Sequence, residues 1–173
     1  MKLQELNQKF NSDKGGKHCY LEKYYQSKFD PVRTSTKKVF EIGVYEGASI
    51  RLWREYFENA EIYALEVLSK RRRMFDGEER INLVIGNSVS PSSYINLPLD
   101  FDIIIDDGSH KPEDQFNTFK LAHQHLRTGG LYIIEDVRDI NKLKELFDNT
   151  VEYTIYDFRD QAEEDTVIFE IVK

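Results

Sequence analysis

The chain has 173 residues, of which 40% are hydrophobic and 32% charged, a composition typical of one globular domain with a full core. Its net charge of -7 disfavours a nucleic-acid binder that relies on phosphate contacts, and its one cysteine excludes an internal disulfide. No apolar run is long enough for a membrane span or a signal peptide. We therefore expect a cytoplasmic protein with no nucleic-acid partner and no membrane partner.

Short apolar runs alternate with longer amphipathic ones along the chain. The first 35 residues are polar and aromatic, and they predict a helix that packs over the remainder. The helix predicted at 49–57 carries Ile50, Trp53 and Phe57 on one face. The other predicted elements are strands at 37–43, 61–67, 81–87, 101–106 and 129–136, a short helix and turn at 69–79, helices at 112–126 and 140–147, and two final strands at 151–158 and 166–173 joined by a polar turn.

Five strands that alternate mostly with helices, followed by a hairpin, predict an α/β fold with helices on both faces of the sheet. The sheet should be doubly wound, seven-stranded and mostly parallel, with an antiparallel hairpin at the C-terminus. We predict a single domain over residues 1–173, in which a helical cap at 1–35 covers a core at 36–173.

All five predicted parallel strands end in polar or glycine-rich residues. Ligands of open α/β sheets bind outside the carboxyl ends of the strands, so these residues should share one edge. The five ends read, in chain order, "EIGVYEGAS", "ALEV", "VIGNS", "IIDDGSH" and "IIEDV". Five such ends are hard to obtain by chance, and they predict a ligand site at that edge.

The first three ends contain groups suited to a nucleoside. Gly43 permits a sharp turn, and Gly47 lets an anion approach the free N–H groups that begin the next helix. Glu66 is spaced to accept hydrogen bonds from a ribose diol. Asn87 and Ser88 can contact an adenine edge, although Gly-Asn-Ser is also a common turn.

Three motifs together resemble one enzyme family. "EIGVYEGAS" is similar to the first motif of class I S-adenosylmethionine-dependent methyltransferases, in the form found in catechol-type O-methyltransferases. The closer resemblance is to the metal-dependent sugar O-methyltransferases of macrolide biosynthesis. It rests on three motifs, "SDKGGKHCYLEKYY", "DDGSH" and "IED". The resemblance implies a single methyltransferase domain with a Rossmann-like fold and S-adenosylmethionine as cofactor.

The resemblance also implies a metal site. Asp107, Glu135 and Asp136 would be the ligands of Mg²⁺, a cation that prefers oxygen ligands, and Asp106 would lie nearer the cofactor. The alternative is that Asp107 caps a helix while Glu135 and Asp136 lie in solvated loops. The sequence departs from the family at two places on the substrate side. Asn87 replaces the family's usual acid after the third strand, and "VRDI" follows the "ED" pair.

His110 follows Asp107 by three residues, a spacing that can bring its imidazole back over the same pocket. An acceptor hydroxyl must lose a proton as it attacks the methyl group, and an imidazole can take that proton. We therefore predict His110 as the general base, against the alternative of a histidine in a turn before a helix. His123 and His125 are expected to serve in packing or at the surface.

The predicted function is Mg²⁺-dependent methylation of a hydroxyl on a small molecule, such as a sugar or another vicinal diol. The alternatives are an S-adenosylmethionine-binding protein without methyl transfer, a nicotinamide-dependent oxidoreductase, which Tyr45 between the glycines disfavours, and a binding module that uses the basic run at 70–73. The aromatic N-terminal segment is compatible with a homo-oligomer. The predicted cofactor-binding residues are Lys14, Gly15, His18, Glu41, Gly43, Gly47, Ser49, Glu66, Asn87, Ser88 and Asp106.

Overall fold

The computed structural model of the protein describes residues 2–162 and 165–173. Its seven strands are β1 (Lys38–Ile42), β2 (Glu61–Glu66), β3 (Ile81–Ile85), β4 (Phe101–Asp106), β5 (Leu126–Ile134), β6 (Thr154–Asp157) and β7 (Val167–Val172). Its α-helices are α1 (Leu3–Phe10), α2 (Asp13–Gly16), α3 (Gln26–Phe29), α4 (Ala48–Tyr56), α5 (Pro112–Ala122) and α6 (Ile140–Phe147). No helix among the described residues combines the length and the apolar character that a bilayer crossing requires.

The strands form one sheet in the order β3-β2-β1-β4-β5-β7-β6. The first five strands of this order pair in parallel, and β7 runs antiparallel to both of its neighbours, β5 and β6. The predicted fold, mostly parallel with an antiparallel C-terminal hairpin, is confirmed. Of the polar turn predicted before β7, residues 163 and 164 lie outside the described residues.

Both faces of the sheet are covered, so the central strands are buried on two sides. One face packs against α4 and the N-terminal segment, where Tyr25, Phe29 and Trp53 are fully buried. The other face packs against α5 and α6 through Phe119 and Phe147. This double coverage explains why β4 is an almost continuous apolar run instead of an alternating one.

The N-terminal segment packs over the sheet as predicted, but it is not one helix. Asn11 and Cys19 adopt positive φ angles of 55° and 52°, which end one helical stretch and begin the next. A π-helical turn at Leu21–Tyr25 then runs directly into α3. The short helix and turn predicted at 69–79 correspond to a 3₁₀ turn at Ser69–Arg71 followed by further turns.

Candidate functional site

A cavity of about 860 Å³ opens at the carboxyl ends of the parallel strands. Its walls come from the loops that follow β1 to β5 and from the N-terminal segment. The strand order reverses between β1 and β4, and ligands of open α/β sheets bind at such a reversal. The cavity therefore lies at the edge of the sheet that the strand ends predicted.

The loop after β1 lies tightly against the loop after β4. Gly43 has a φ of 93°, and a Cβ atom there would lie 2.0 Å from the backbone oxygen of Asp107. Gly47, with a φ of 78°, precedes the first residue of α4. Only glycine fits at Gly43, so the loop after β1 can pack against the loop after β4. The free N–H groups at the start of α4 lie beside the cavity, where they can face an anionic group.

Glu41 lies beneath this loop and not in the cavity wall. Its carboxylate accepts a 2.6 Å hydrogen bond from the Ser49 hydroxyl and another from the Trp53 indole. Burial raises the pKa of Glu41 to about 6, despite the nearby ammonium of Lys14. Glu41 therefore supports the glycine loop by tying β1 to α4.

Glu66 lines the cavity at the end of β2. Its carboxylate accepts a 2.7 Å bond from the Leu68 amide and a 2.8 Å bond from the Arg71 guanidinium. The guanidinium also lies over the Tyr45 ring, 5.6 Å from the ring centroid. Sequence reasoning missed Arg71 and Tyr45 as wall residues, although the five-residue spacing from Glu66 to Arg71 was a usable signal.

Asn87 and Ser88 line the cavity next to Glu66. The Asn87 side chain accepts a 3.1 Å bond from the Val89 amide, which makes a local turn. The Ser88 hydroxyl accepts a 3.0 Å bond from Thr118 of α5. Asn87 therefore forms a local turn and also lines the cavity. The two interpretations of Gly-Asn-Ser, as a turn and as an adenine contact, are compatible.

Asp107, His110 and Asp136 meet on the opposite wall. One potential ligand atom from each lies within 4.8 Å of the other two. His110 Nε2 is 3.9 Å from Asp107 Oδ1, and its Nδ1 has no hydrogen-bond partner among the described residues. His110 and Asp136 adopt positive φ angles of 56° and 52°, and such backbone strain occurs typically at functional sites.

The two carboxylates of this trio fit a divalent cation. Asp107 and Asp136 can supply oxygen ligands from one polar cavity wall, and the His110 imidazole lies beside them. Burial and the neighbouring Asp107 raise the pKa of Asp136. The Tyr20 hydroxyl donates a 2.8 Å bond to Asp136 Oδ1 and orients the carboxylate.

Glu135 lies behind this wall and faces the N-terminal segment. Lys14 Nζ donates to Glu135 Oε2 at 2.5 Å and to Asp107 Oδ2 at 2.6 Å, and the Tyr25 hydroxyl donates to the other oxygen of Glu135. Burial alone would lower the pKa of Lys14, but the carboxylates of Asp107, Glu135 and Glu41 raise it well above its usual value. The ammonium therefore keeps its charge inside the protein.

His18 brings the N-terminal segment to the cavity wall. It is buried, and its Nδ1 lies 3.2 Å from the Thr166 hydroxyl and 3.6 Å from Asp136 Oδ1. Asp165 and Arg138, which pair at 3.2 Å, complete this part of the wall. No motif in the sequence indicated Asp165, because its position depends on the final hairpin, whereas Arg138 belongs to the "VRDI" stretch that departs from the family.

Asp106, which directly precedes Asp107, is buried. Its Oδ1 accepts a 3.3 Å bond from the Gly108 amide, whereas Oδ2 has no partner among the described residues. Burial raises the pKa of Asp106 to about 8.

The structure thus divides the predicted site residues into two groups. Those that line the cavity are His18, Gly43, Ser49, Glu66, Asn87, Ser88, Asp107, His110 and Asp136. The remaining ones support the wall from behind or lie beside it: Lys14, Gly15, Glu41, Gly47, Asp106 and Glu135.

A family model described as a methyltransferase domain matches residues 40–137, more than half of the chain. The chain belongs to this methyltransferase family. The match runs from the middle of β1 to the residue after Asp136, so it includes the glycine loop, Glu66 and the trio of Asp107, His110 and Asp136. The resemblance drawn from the sequence motifs is confirmed at the level of the family.

Several relatives are O-methyltransferases by name. Demethylmacrocin O-methyltransferase of Streptomyces fradiae is 33% identical over 145 residues, which are 78% of this chain and 36% of that enzyme. Mycinamicin VI 2''-O-methyltransferase of Micromonospora griseorubida is 31% identical over 145 residues, with the same two shares. The chain therefore spans about a third of the length of these curated relatives.

A solved structure shares the fold along the whole chain. The MycE methyltransferase of the mycinamycin biosynthetic pathway, solved in complex with Mg and SAH, superposes with a TM-score of 0.80. The sequences are 23% identical, and the match covers 100% of this chain and 55% of MycE. The methyltransferase fold is therefore shared from the N-terminal helices to β7.

Proposed function

We propose that the protein transfers a methyl group from S-adenosylmethionine to a hydroxyl of a sugar or another vicinal diol, with Mg²⁺ at the acceptor end of the cavity. One observation carries the proposal. The trio of Asp107, His110 and Asp136 shares a single cavity with the glycine loop and Glu66. A nucleoside-binding wall and a metal-binding wall thus face the same space.

The nucleoside wall has groups for each part of the cofactor. The free N–H groups at the start of α4 would hold the methionine carboxylate, and Glu66 would accept hydrogen bonds from the ribose diol. Asn87 and Ser88 line the same cavity and would contact the adenine edge. The bound cofactor would supply the methyl group on a positively charged sulfur, and the chain would position it.

The opposite wall has groups for the acceptor. Asp107 and Asp136 would hold Mg²⁺ from the cavity side. Glu135, the third predicted ligand, lies behind them with its oxygens bonded to Lys14 and Tyr25. The bound cation would lower the pKa of a coordinated hydroxyl. His110 Nε2 would take the hydroxyl proton, and the walls would align the oxygen with the methyl group.

The names of the relatives support a sugar hydroxyl as the acceptor. A relative from Streptomyces olivaceus, 34% identical over 148 residues, is named an 8-demethyl-8-alpha-L-rhamnosyl tetracenomycin-C 2'-O-methyltransferase. Another, from Streptomyces antibioticus, is named an L-olivosyl-oleandolide 3-O-methyltransferase. The presence of Mg and SAH in the MycE complex supports the metal and the cofactor.

The first test is calorimetric titration with S-adenosylhomocysteine, with and without Mg²⁺, and with NADH as a control ligand. We expect micromolar binding of S-adenosylhomocysteine and no binding of NADH.

The second test incubates the protein with S-adenosylmethionine, Mg²⁺ and a panel of rhamnosides, and detects methyl ethers by mass spectrometry. Failure to bind S-adenosylhomocysteine would refute the proposal, and binding without product from any diol would favour a non-catalytic binder.

A further inference from the structure

Lys14 is an almost completely buried cation beside the acids of the site. Its side chain is 2% exposed, and its ammonium lies 2.5 Å from Glu135 Oε2, 2.6 Å from Asp107 Oδ2 and 3.6 Å from Glu41 Oε1. Lys14 belongs to α2 in the N-terminal segment, whereas its partners come from the ends of three strands. One positive charge is therefore shared by three carboxylates.

Asp107 has two different neighbours for its two oxygens. Oδ2 contacts the Lys14 ammonium behind the wall, and Oδ1 lies 3.9 Å from His110 Nε2 on the cavity side. The Asp107 side chain is 25% exposed, whereas Glu135 is almost fully buried. Lys14 thus fixes the rotation of the Asp107 carboxylate and takes part of its charge.

We propose that Lys14 is a positioning residue that shares the carboxylates of Asp107 and Glu135 with the divalent cation and thereby lowers the affinity for that cation. The inference rests on the proposed function, in which Asp107 binds Mg²⁺. A cation on the cavity side must bind close to the fixed positive charge of Lys14, and this repulsion is large where water is excluded. The same ammonium prevents the acids from repelling one another when no metal is bound.

The test is a titration with Mn²⁺ alone, in which electron paramagnetic resonance measures the free ion in the presence of the 173-residue chain. We expect Lys14→Met to bind Mn²⁺ about tenfold more tightly than the wild type or better, because the repulsion is gone. The metal-free variant should unfold at a lower temperature, and saturating Mn²⁺ should raise its unfolding temperature by more than that of the wild type. A purely structural role for Lys14 would instead weaken metal binding.

Two variants serve as controls. Lys14→Arg keeps the charge, so its Mn²⁺ affinity should stay within about threefold of the wild type. Lys23→Met removes the same charge from an exposed residue of the same segment that does not line the cavity, and its affinity should also change by less than about threefold, because solvent screens that charge. Unchanged or weaker binding by Lys14→Met would overturn the inference.

A measurement on the wild type covers the case in which Lys14→Met does not fold. The ¹⁵N resonance of the Lys14 ammonium, assigned by its loss in Lys14→Arg, should shift saturably as Mg²⁺ is added. A resonance that stays unchanged while calorimetry shows Mg²⁺ saturation would overturn the inference.

Failure of this inference differs from failure of the proposed function. If the wild type binds neither Mn²⁺ nor Mg²⁺, the metal part of the proposed function is wrong, and the role of Lys14 is wrong with it. If the wild type binds Mn²⁺ and Lys14→Met binds it no more tightly, only the role of Lys14 is wrong. Titration with S-adenosylhomocysteine tests the cofactor wall separately in each variant.

Discussion

At the scale of single residues, the site depends on two strained backbone positions. His110 and Asp136 both have positive φ angles, and neither is a glycine. A residue with a Cβ atom adopts this conformation at an energetic cost, so the surrounding contacts must hold it there. For Asp136 these contacts include two hydrogen bonds that involve the Tyr20 hydroxyl. The unusual backbone turns both side chains toward Asp107 and the cavity.

His110→Asn tests the general base at this scale. Asparagine tolerates a positive φ angle better than most residues, so the loop should keep its shape while the basic imidazole is lost. We expect S-adenosylhomocysteine affinity within about threefold of the wild type and turnover reduced by about a hundredfold or more. Turnover is measured with the diol that the rhamnoside panel identifies.

His123→Asn is the matched control, since His123 packs on Phe119 at the end of α5 and does not line the cavity. Its turnover should stay near that of the wild type. Normal turnover in His110→Asn would contradict the assignment of the base.

At the scale of elements, Asp102 joins the starts of three neighbouring segments. Its Oδ2 accepts bonds of 2.7 and 3.0 Å from the amides of Lys37 and Lys38, which begin β1. Its Oδ1 accepts a 2.7 Å bond from Arg127 of β5. Because the strand ends carry the site, bonds that fix the registers of β1, β4 and β5 at their starts also align the acids at their ends.

Asp102→Asn should therefore lower stability in a pH-dependent way. Burial would raise the pKa of Asp102, but the Lys37 and Lys38 amides and the Arg127 guanidinium outweigh it and lower the pKa. A group with a depressed folded-state pKa contributes stability above its unfolded-state pKa of about 3.9. That contribution is lost as the pH falls through the lower folded-state value.

The measurement is the unfolding temperature of wild type and variant from neutral pH down to acid pH. The difference between them should be constant near neutrality and should shrink below a pH of about 4. Asp100→Asn, at an exposed position two residues earlier, should change the unfolding temperature little at any pH. A difference that stays the same into strong acid would refute the electrostatic role of Asp102.

At the scale of the whole molecule, the N-terminal segment is part of the core and also part of the site. Phe29 is fully buried, with ring centroids 4.8 Å from Tyr25, 5.1 Å from Phe57 and 5.5 Å from Trp53. The same segment supplies Lys14, whose ammonium contacts the strand-end acids. Packing of aromatic rings thus places the polar groups of the segment at the wall of the cavity.

Phe29→Ala should destabilise the protein by about 3–5 kcal/mol, because a large buried ring is replaced by a cavity. Denaturant unfolding measures this change. Leu99→Ala, at a side chain that is 60% exposed, should cost less than about 0.5 kcal/mol. A small effect of Phe29→Ala would mean that the N-terminal segment is not part of the cooperative core.

The sequence by itself determined the strands, the main helices and the edge of the sheet where the site lies. Those features follow from apolar runs and from residues adjacent in the chain: the helix predicted at 140–147 is α6, and the strand predicted at 37–43 contains β1. Local patterns failed in the first 35 residues, where the one predicted helix is several short helical stretches separated at Asn11 and Cys19.

Only the tertiary structure decided which of the predicted residues face the cavity. Lys14 and Glu135 are 121 positions apart, and no periodicity links a lysine in a polar segment to an acid at the end of a distant strand. Their contact arises because aromatic packing places the segment over the sheet, where a buried acid needs a partner. The strained backbone at His110 and Asp136 is likewise held by contacts from several elements. The sequence therefore located the site, and long-range packing set its geometry.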